Sequence, residues 1–267
     1  MAKPYLSVII PAYNEAKRIP ETLIDIDKKL GKETYSYEII VVNDGSTDDT
    51  ALVVGKFLSV VKNMKLIDNK ENRGKGAVVR QGMLAASGNI RLFTDADNST
   101  PIEQFNAMIP YLKDYDVVIG SRAVRGAVLD PPQPLYRQIP GKIGNAIIQL
   151  LLLPGLWDTQ CGFKVFKEEV VEKVFSEGKI DRWGFDIEVL ALAKHFNYRI
   201  KEMPVHWINS PFSHVKASAY LQVLFETLKI RWWLWTGAYS FTHRGASPSG
   251  SDSRSESGKN AGTGAHA

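Results

Sequence analysis

The sequence predicts an α/β protein built on an open sheet with helices on both faces. Three observations predict it. Short Val/Ile-rich runs alternate with longer segments of helical period through the first half of the chain. Those short runs are almost continuously apolar, as strands covered on both faces by helices must be. The first four also lead into turns rich in Asn, Asp, Gly and Ser, the residues that strand-to-helix turns favour.

Taken in order, Leu6–Ile10 reads as the first strand and is followed by Ile19, Leu23, Ile26 and Leu30 at helical steps. Glu38–Val42 reads as the second strand, and Val53, Val54, Phe57, Leu58 and Val61 mark the next helix. Leu66–Asp68, Ile90–Thr94 and Val117–Gly120 complete the run of strands. From Ala123 to Pro140 a stretch rich in Pro, Gly and Arg reads as one long loop, and long loops in compact domains are usually functional. Helical patterns follow over Gly144–Leu153, Lys167–Phe175 and Phe185–Phe196, with a strand near Arg199–Val205. The Ser/Gly-rich residues 240–267 lack the bulky apolar side chains needed to order a segment. The expected organisation is an α/β domain over residues 1–218, an interfacial helical segment over 219–239 and a disordered tail over 240–267.

Composition narrows the class. A chain of 267 residues suits one large domain or two small ones. With 44% hydrophobic and 23% charged residues it is an ordinary globular sequence, which excludes wholesale disorder. A net charge of +4 is too small to argue for a nucleic-acid partner. The single cysteine, Cys161, excludes an intramolecular disulfide and suits a reducing compartment. No uninterrupted apolar run reaches the roughly 18 residues of a membrane span, and the N-terminus enters a strand without a signal-peptide pattern. The expectation is a protein on the cytoplasmic side, peripheral to a membrane. Tyr220–Tyr239 supports the membrane contact: Trp232, Trp233 and Trp235 accompany Lys229 and Arg231 beside Leu221, Leu224, Phe225 and Leu228. Such a mixture describes an element lying in the lipid interface, with a helix buried in a core or an oligomer as the alternative. Gly144–Leu153 is a second candidate.

In open α/β sheets, ligands gather beyond the carboxyl ends of the strands, where the connection order reverses. Those positions hold Pro11-Ala12-Tyr13-Asn14-Glu15, Asn43-Asp44-Gly45-Ser46, Asn72-Arg73-Gly74-Lys75-Gly76 and Asp95-Ala96-Asp97. Asp95 and Asp97 can both approach one hard cation, Mg²⁺ or Mn²⁺, whose shell substrate phosphates commonly complete. A second reading makes Asp97, Asn98 or Ser99 the N-cap of a helix starting at Pro101. The first turn lacks G-x-G-x-x-G, and no GxxxxGK[ST], HExxH or GxSxG occurs. Dinucleotide dehydrogenases, P-loop NTPases and the commonest zinc proteases and hydrolases are thereby set aside.

In their order, Ser7–Glu15, Val42–Asp48, Asn72–Gly76 and Asp95–Asp97 resemble the family 2 glycosyltransferases of the GT-A fold. Asp158-Thr159-Gln160-Cys161-Gly162-Phe163-Lys164 and Trp183–Glu188 resemble the dolichyl-phosphate glucosyltransferase branch of that family. The resemblance spans about Leu6 to Lys216. It implies a Rossmann-like, mixed but mainly parallel sheet, followed by an amphipathic membrane-associated helix. It also implies inverting, metal-dependent transfer of a hexose, glucose from UDP-glucose, to a polyprenyl or dolichyl phosphate.

By position, the resemblance places Pro11, Tyr13, Glu15 and Asp44 around the nucleoside. Gly74 would admit the nucleotide closely, Lys75 would lie beside it, and Asp95 would meet the ribose or the metal. Asp97 would ligate the metal. Arg122, next to Ser121, and Arg137 would grip the acceptor phosphate, for which a planar guanidinium fork is suited. Asp158, Gln160 and Lys164 would contact the acceptor or sugar. Asp186 sits where some relatives carry a catalytic base, yet a phosphate monoester is already an anionic nucleophile. His214 and Lys216 occupy the region that closes over the diphosphate, in a different register from the family's usual Ser-Lys-Val-like element. Two alternatives remain: GDP-mannose as donor, or a non-catalytic module that binds sugar nucleotide or lipid. A processive synthase is disfavoured, because Arg231-Trp232 lacks Gln or Arg three residues earlier.

Overall fold

The computed structural model describes residues 3–132, 135–209 and 218–239. Its frame is a seven-stranded sheet. In chain order the strands are β1 (Leu6–Ala12), β2 (Tyr37–Asp44), β3 (Met64–Asn69), β4 (Ile90–Thr94), β5 (Val117–Ser121), β7 (Phe163–Lys167) and β8 (Ile200–Pro204). Across the sheet they run β3-β2-β1-β4-β7-β5-β8. All neighbours are parallel except β7, which is antiparallel to both β4 and β5. A separate parallel pair joins β6 (Val128–Asp130) to β9 (His206–Ile208).

The apolar runs of β1, β2 and β4 are continuous because both faces are covered. Ile9, Ile40, Val42 and Phe93 point to one core, shared with Val78, Val79 and Met83 of α3 (Lys75–Ala85), Val170, Val171 and Val174 of α6 (Glu168–Glu177) and Ile187, Leu190 and Leu192 of α7 (Phe185–His195). Their neighbours Val8, Ile10, Ile39, Val41 and Leu92 point to the other, against Ile19, Leu23, Ile26 and Leu30 of α1 (Ile19–Leu30), Val54 of α2 (Thr50–Phe57) and Phe105 of α4 (Gln104–Met108). This is the period-two alternation of a strand feeding two layers. The strand order reverses between β1, which continues to β2, and β4 on its other side. The carboxyl ends of β1, β2 and β4 therefore converge on one crevice.

Three expectations need correction. The segment expected as a loop to Pro140 contains β6 and most of the first two turns of α5 (Leu135–Leu151), with Pro140 inside the helix. Proline removes one helical hydrogen bond, but packing further along, where Ile148 is buried, holds the helix. The helix expected from Pro101 begins instead at Gln104, preceded by turn bonds from the Gln104 and Phe105 N–H groups to the Pro101 and Ile102 carbonyls. Finally, β7 was not foreseen. Lys164 and Lys167 interrupt its apolar pattern, although Lys164 is fully buried.

The last helix, α8 (Ser218–Thr236), packs on α5 and α7. It buries Ala219, Thr227 and Ile230, while Leu221, Phe225, Leu228, Trp232 and Trp235 are exposed at alternating four- and three-residue steps. Its apolar residues thus occupy two faces, one against the protein and one outward. Among the described residues no helix is long and apolar enough to cross a membrane.

The amino-end side of the sheet is tied by Glu38. Its carboxylate accepts the Ser7 hydroxyl at 2.6 Å, the Ser87 N–H and hydroxyl at 2.7 Å each, and the Lys65 ammonium at 2.8 Å. Burial pushes this carboxyl up, but the bonds from Lys65, Ser7 and Ser87 outweigh it and hold the pKa at about 2, below the ordinary 4.5. A depressed carboxyl contributes stability that is complete above the unfolded value and fades as pH falls through the folded one. Denaturant unfolding should therefore show stability declining between pH 4.5 and 2. Glu38→Gln should be less stable at pH 7 by on the order of 1–3 kcal/mol and should flatten that decline.

Candidate active site

The crevice is assembled turn by turn. After β1, Asn14 adopts a left-handed backbone, φ 57°. Its N–H donates to the Ser46 hydroxyl at 2.9 Å, and its side-chain oxygen accepts the Thr47 N–H at 2.9 Å. The Glu15 N–H donates to the Thr50 hydroxyl at 2.8 Å, and the Glu15 carboxylate accepts the Arg18 guanidinium. These bonds staple the first turn to the second. Pro11 is buried and Tyr13 is exposed at their junction.

Asp44, the last residue of β2, is buried and organises the third turn. Its carboxylate accepts the Arg73 N–H at 2.7 Å, the Gly74 N–H at 3.0 Å and the Asn72 amide at 3.0 Å. Burial pushes the Asp44 carboxyl up, against the pull of the Arg73 and Gly74 N–H groups. Gly74 has φ 103°, and a Cβ there would lie 2.5 Å from the Asp181 carbonyl oxygen. A Cβ at Gly76 would lie 2.6 Å from the Ile180 carbonyl oxygen. The Gly74-Lys75-Gly76 spacing thus has a packing cause within the protein, because residues 180–181 rest directly on this turn.

At the end of β4, Asp95 accepts the Lys75 ammonium at 2.6 Å. Asp97 accepts the Ser99 N–H at 3.1 Å and has Arg18 3.9 Å away. The N-cap reading of Asp97, Asn98 and Ser99 is overturned, since α4 starts well beyond them and has no side-chain cap. Both carboxylates remain partly accessible, with side chains 24% and 21% exposed. Asp95 is seated against Gly162, where a Cβ would come within 2.0 Å of its carboxylate oxygen. That glycine was not singled out for a role in the sequence, although it lies inside the Asp158–Lys164 motif.

Beneath the rim, Lys164 reaches from β7 to the Asp186 carboxylate in the first turn of α7, at 2.5 Å, and also donates to the Cys161 carbonyl at 2.5 Å. Lys164 is fully buried and Asp186 nearly so. Burial pushes the Asp186 carboxyl up, opposed by Lys164 and Lys75. Cys161 lies in the same interior, and burial pushes its thiol up to about 12.

Across from Asp95, Arg122 follows Ser121 at the end of β5. Its Nε and Nη2 donate to the two Asp158 carboxylate oxygens at 2.7 and 2.9 Å. Burial raises Asp158, but Arg122 outweighs it and holds the carboxyl below its usual range. The Asp158 N–H is in turn fixed at 2.7 Å by Glu202, and the Gln160 N–H donates back to Asp158 at 3.3 Å. Arg122 also lies over the Trp207 ring, 4.7 Å from its centroid. No local sequence motif marks Trp207 or Glu202 as part of this site. Arg137 falls in the first turn of α5, but its side chain lies outside the described residues, as do His214 and Lys216 altogether.

Residues expected from three of the four turns, from the end of β5 and from two later motifs therefore share one rim: Asp44, Lys75, Asp95, Asp97, Arg122, Asp158 and, below them, Lys164 and Asp186. Among the described residues no cluster of three or more His, Cys, Asp or Glu could hold a metal. The site offers two carboxylates, a donor set that suits an ion completed by phosphate and water oxygens.

A mixed, mainly parallel sheet with acidic loops at its switch point is the arrangement of the GT-A class, and comparison with known proteins gives the family. Residues 7–175 match the family described as Glycosyl transferase family 2. The chain belongs to that family and is a glycosyltransferase. It is 36% identical to a dolichyl-phosphate beta-glucosyltransferase of Dictyostelium discoideum over 85% of this chain and 74% of that one. It is 32% identical to the Homo sapiens protein of the same name, over 88% and 77%. Among solved structures, glucosyl-3-phosphoglycerate synthase from Mycobacterium tuberculosis, in complex with Mn²⁺, UDP and glucosyl-3-phosphoglycerate, shares the fold. It has a TM-score of 0.62 at 20% identity and covers 85% of this chain and 80% of its own. A mannosyltransferase from Pyrobaculum calidifontis, with GDP-Man and Mn²⁺, has a TM-score of 0.58 at 20% identity, over 89% and 65%.

The buried pair beneath the rim makes a prediction about stability. Lys164→Met strands the Asp186 carboxylate and should cost about 3–5 kcal/mol in denaturant unfolding. Lys164→Met with Asp186→Leu should recover most of that loss. A single variant as stable as the parent would show that the pair does not hold the two elements together.

Proposed function

We propose that the protein transfers glucose from UDP-glucose to a dolichyl or related polyprenyl phosphate, with inversion at the anomeric carbon. The observation that carries the reading is the placement of a basic acceptor group beside an acidic donor rim. Arg122, stacked on Trp207 and oriented by Asp158, lies close enough to Asp95 to interact with it electrostatically. The bonds to Asp158 use two of its five side-chain N–H donors, which leaves donors for a phosphate. The names of the curated relatives support the lipid acceptor, and the Mn²⁺ and UDP of the mycobacterial neighbour support the donor chemistry.

In the reaction, an oxygen of the acceptor phosphate attacks the anomeric carbon as the bond from that carbon to the UDP oxygen breaks. UDP departs from the opposite face with the bonding electrons. The acceptor oxygen needs no proton removed, so Asp186, bound to Lys164, serves to orient rather than to deprotonate. Asp95 and Asp97 would hold Mg²⁺ or Mn²⁺, which supplies charge neutralisation for a leaving diphosphate. Lys75 adds a second positive charge at Asp95. Pro11, Tyr13, Glu15 and Asp44 form the nucleoside side. Arg122 and Arg137 position the acceptor, with Ser121, Asp158 and Gln160 in support, and His214 or Lys216 supplies a further cation for the phosphates. Catalysis of this kind is positioning and electrostatics.

The acceptor's tail lies in a bilayer, and the outward stripe of α8 fits that. Leu221, Phe225, Leu228, Trp232 and Trp235 form one apolar line, flanked by Lys229 and Arg231. On α5, which packs against α8, Ile143 and Leu150 are exposed, as is Trp157 beyond it. Aromatic and cationic residues around an apolar face describe an interfacial helix. The enzyme is peripheral to the membrane, on its cytoplasmic side.

Purified protein given UDP-[¹⁴C]glucose, Mg²⁺ and a polyprenyl phosphate in vesicles should form a labelled lipid, faster than with GDP-[¹⁴C]mannose. Asp97→Ala should lower turnover by roughly 10²-fold or more. Binding of UDP-glucose without turnover, or full activity of Asp97→Ala, would contradict the assignment.

A further inference from the structure

The segment between α6 and α7 roofs the turn that bears Lys75, and it is held at one end by α8 and at the other by Glu188 together with the residues just after α8. At one end the Gly184 N–H donates to the Glu226 carboxylate of α8 at 2.6 Å. The approach is so close that a Cβ on Gly184 would lie 2.7 Å from the Glu226 Cβ. At the other end the Glu188 carboxylate accepts the Lys179 N–H at 2.9 Å and the Ile180 N–H at 2.9 Å. The same carboxylate accepts the hydroxyl of Tyr239, which is buried just beyond α8, at 2.9 Å. The Lys179 ammonium also donates to the Ala238 carbonyl.

Between these two anchors, the roof presses on the donor rim. The Asp181 carbonyl accepts the Ala77 N–H at 3.1 Å and fills the space a side chain at Gly74 would need. Arg80 of α3 pairs with the Asp181 carboxylate. The Gly74 N–H in turn bonds Asp44, and the neighbouring Lys75 bonds Asp95. Gly184 also begins α7, which carries Asp186. α8 is thus one step from the roof, and the roof is one step from the rim. Nothing in the transfer reaction itself calls for Glu226 or Tyr239.

We infer that Glu226 and Tyr239 are positioning residues that couple the apolar-faced helix α8 to the nucleotide site, by clamping the roof over the Gly74-Lys75-Gly76 turn. Coupling can be carried by a contiguous set of packed groups between two sites, and this is one: outward stripe, Glu226 and Tyr239, roof, glycine turn, Asp44 and Lys75. Seating α8 on lipid then favours the arrangement that binds the donor, and donor binding favours the seated helix, since such coupling is reciprocal. The inference rests on the reading of this rim as the donor site.

The test compares the full chain with Glu226→Ala, Glu226→Gln and Tyr239→Phe. Affinity for UDP with Mn²⁺, or GDP with Mn²⁺ if that binds the parent better, is measured calorimetrically with and without phosphatidylcholine vesicles containing polyprenyl phosphate. Donor KM and kcat are measured in the same vesicles. Glu226→Ala should weaken nucleotide binding and raise donor KM by about tenfold while kcat changes less than about twofold. Glu226→Gln retains an oxygen that accepts the Gly184 N–H and should stay within about twofold of the parent. Tyr239→Phe, which deletes one hydroxyl, should shift donor affinity in the same direction by about threefold. In the parent, vesicles should tighten nucleotide binding, and Glu226→Ala should abolish that gain.

Unchanged nucleotide affinity in both Glu226→Ala and Tyr239→Phe overturns the inference. So does a fall in kcat alone that Gln does not rescue, because that is the mark of a merely structural role. If Glu226→Ala does not fold, Tyr239→Phe decides the matter. Failure of the parent to glycosylate the lipid counts against the proposed reaction instead, and the clamp is then judged on nucleotide affinity alone.

Discussion

Everything at the rim depends on charge compensation in a partly buried space. Asp95 and Asp97, from the turn after β4, and Asp186, from the start of α7, are brought together by two separate pieces of chain, and two lysines, Lys75 and Lys164, enter from below and beside them. Carboxylates at such close quarters cannot all stay ionised without cations among them. Lys75 answers Asp95 and Lys164 answers Asp186, each at hydrogen-bonding distance, whereas Arg18 comes no nearer to Asp97 than 3.9 Å. The balance leaves Asp97 as the acid most ready to accept positive charge from outside the chain. Such an imbalance suits a divalent ion whose remaining ligands are oxygen atoms from outside the chain.

The sheet supplies the geometry for that balance. Strand order reverses between β1 and β4, so the turns after β1, β2 and β4 open onto one crevice. The antiparallel strand β7 then inserts beside β4, which brings Gly162 against Asp95 and carries Lys164 under the rim to Asp186. A glycine is required at position 162 because the Asp95 carboxylate occupies the space of its side chain. On the far side of β7, β5 delivers Arg122 to Asp158. The acidic turn after β4 and Arg122 after β5 are thus set on the two neighbours of a single strand.

How much of this was legible in the sequence follows from what each residue's signal was. The strands β1, β2 and β4 were plain because both of their faces are apolar, and the polar turns after them stood out against that background. β7 was hidden by Lys164, whose charge argues for solvent in a sequence and is buried only because Asp186, twenty-two residues away, neutralises it. The first turns of α5 were hidden by Pro140, which local rules count as a helix breaker. The Gly74-Lys75-Gly76 pattern was noticed as a ligand-approach motif, yet the space its glycines leave is filled by the carbonyls of residues 180 and 181. α8 resisted a decision between burial and lipid because it carries apolar residues on both faces, and the structure shows one face packed and the other exposed. Long-range pairings such as Asp158 with Glu202, or Gly184 with Glu226, leave no local trace at all.

The most direct test of this account is anomalous scattering from crystals grown with UDP and Mn²⁺. The account places a manganese peak in bonding contact with an Asp97 carboxylate oxygen, at about 2.0–2.2 Å and shared with diphosphate oxygens. A peak that instead sits away from both Asp97 and Asp95, with UDP bound elsewhere than the rim formed by Asp44, Lys75 and Asp95, would contradict it.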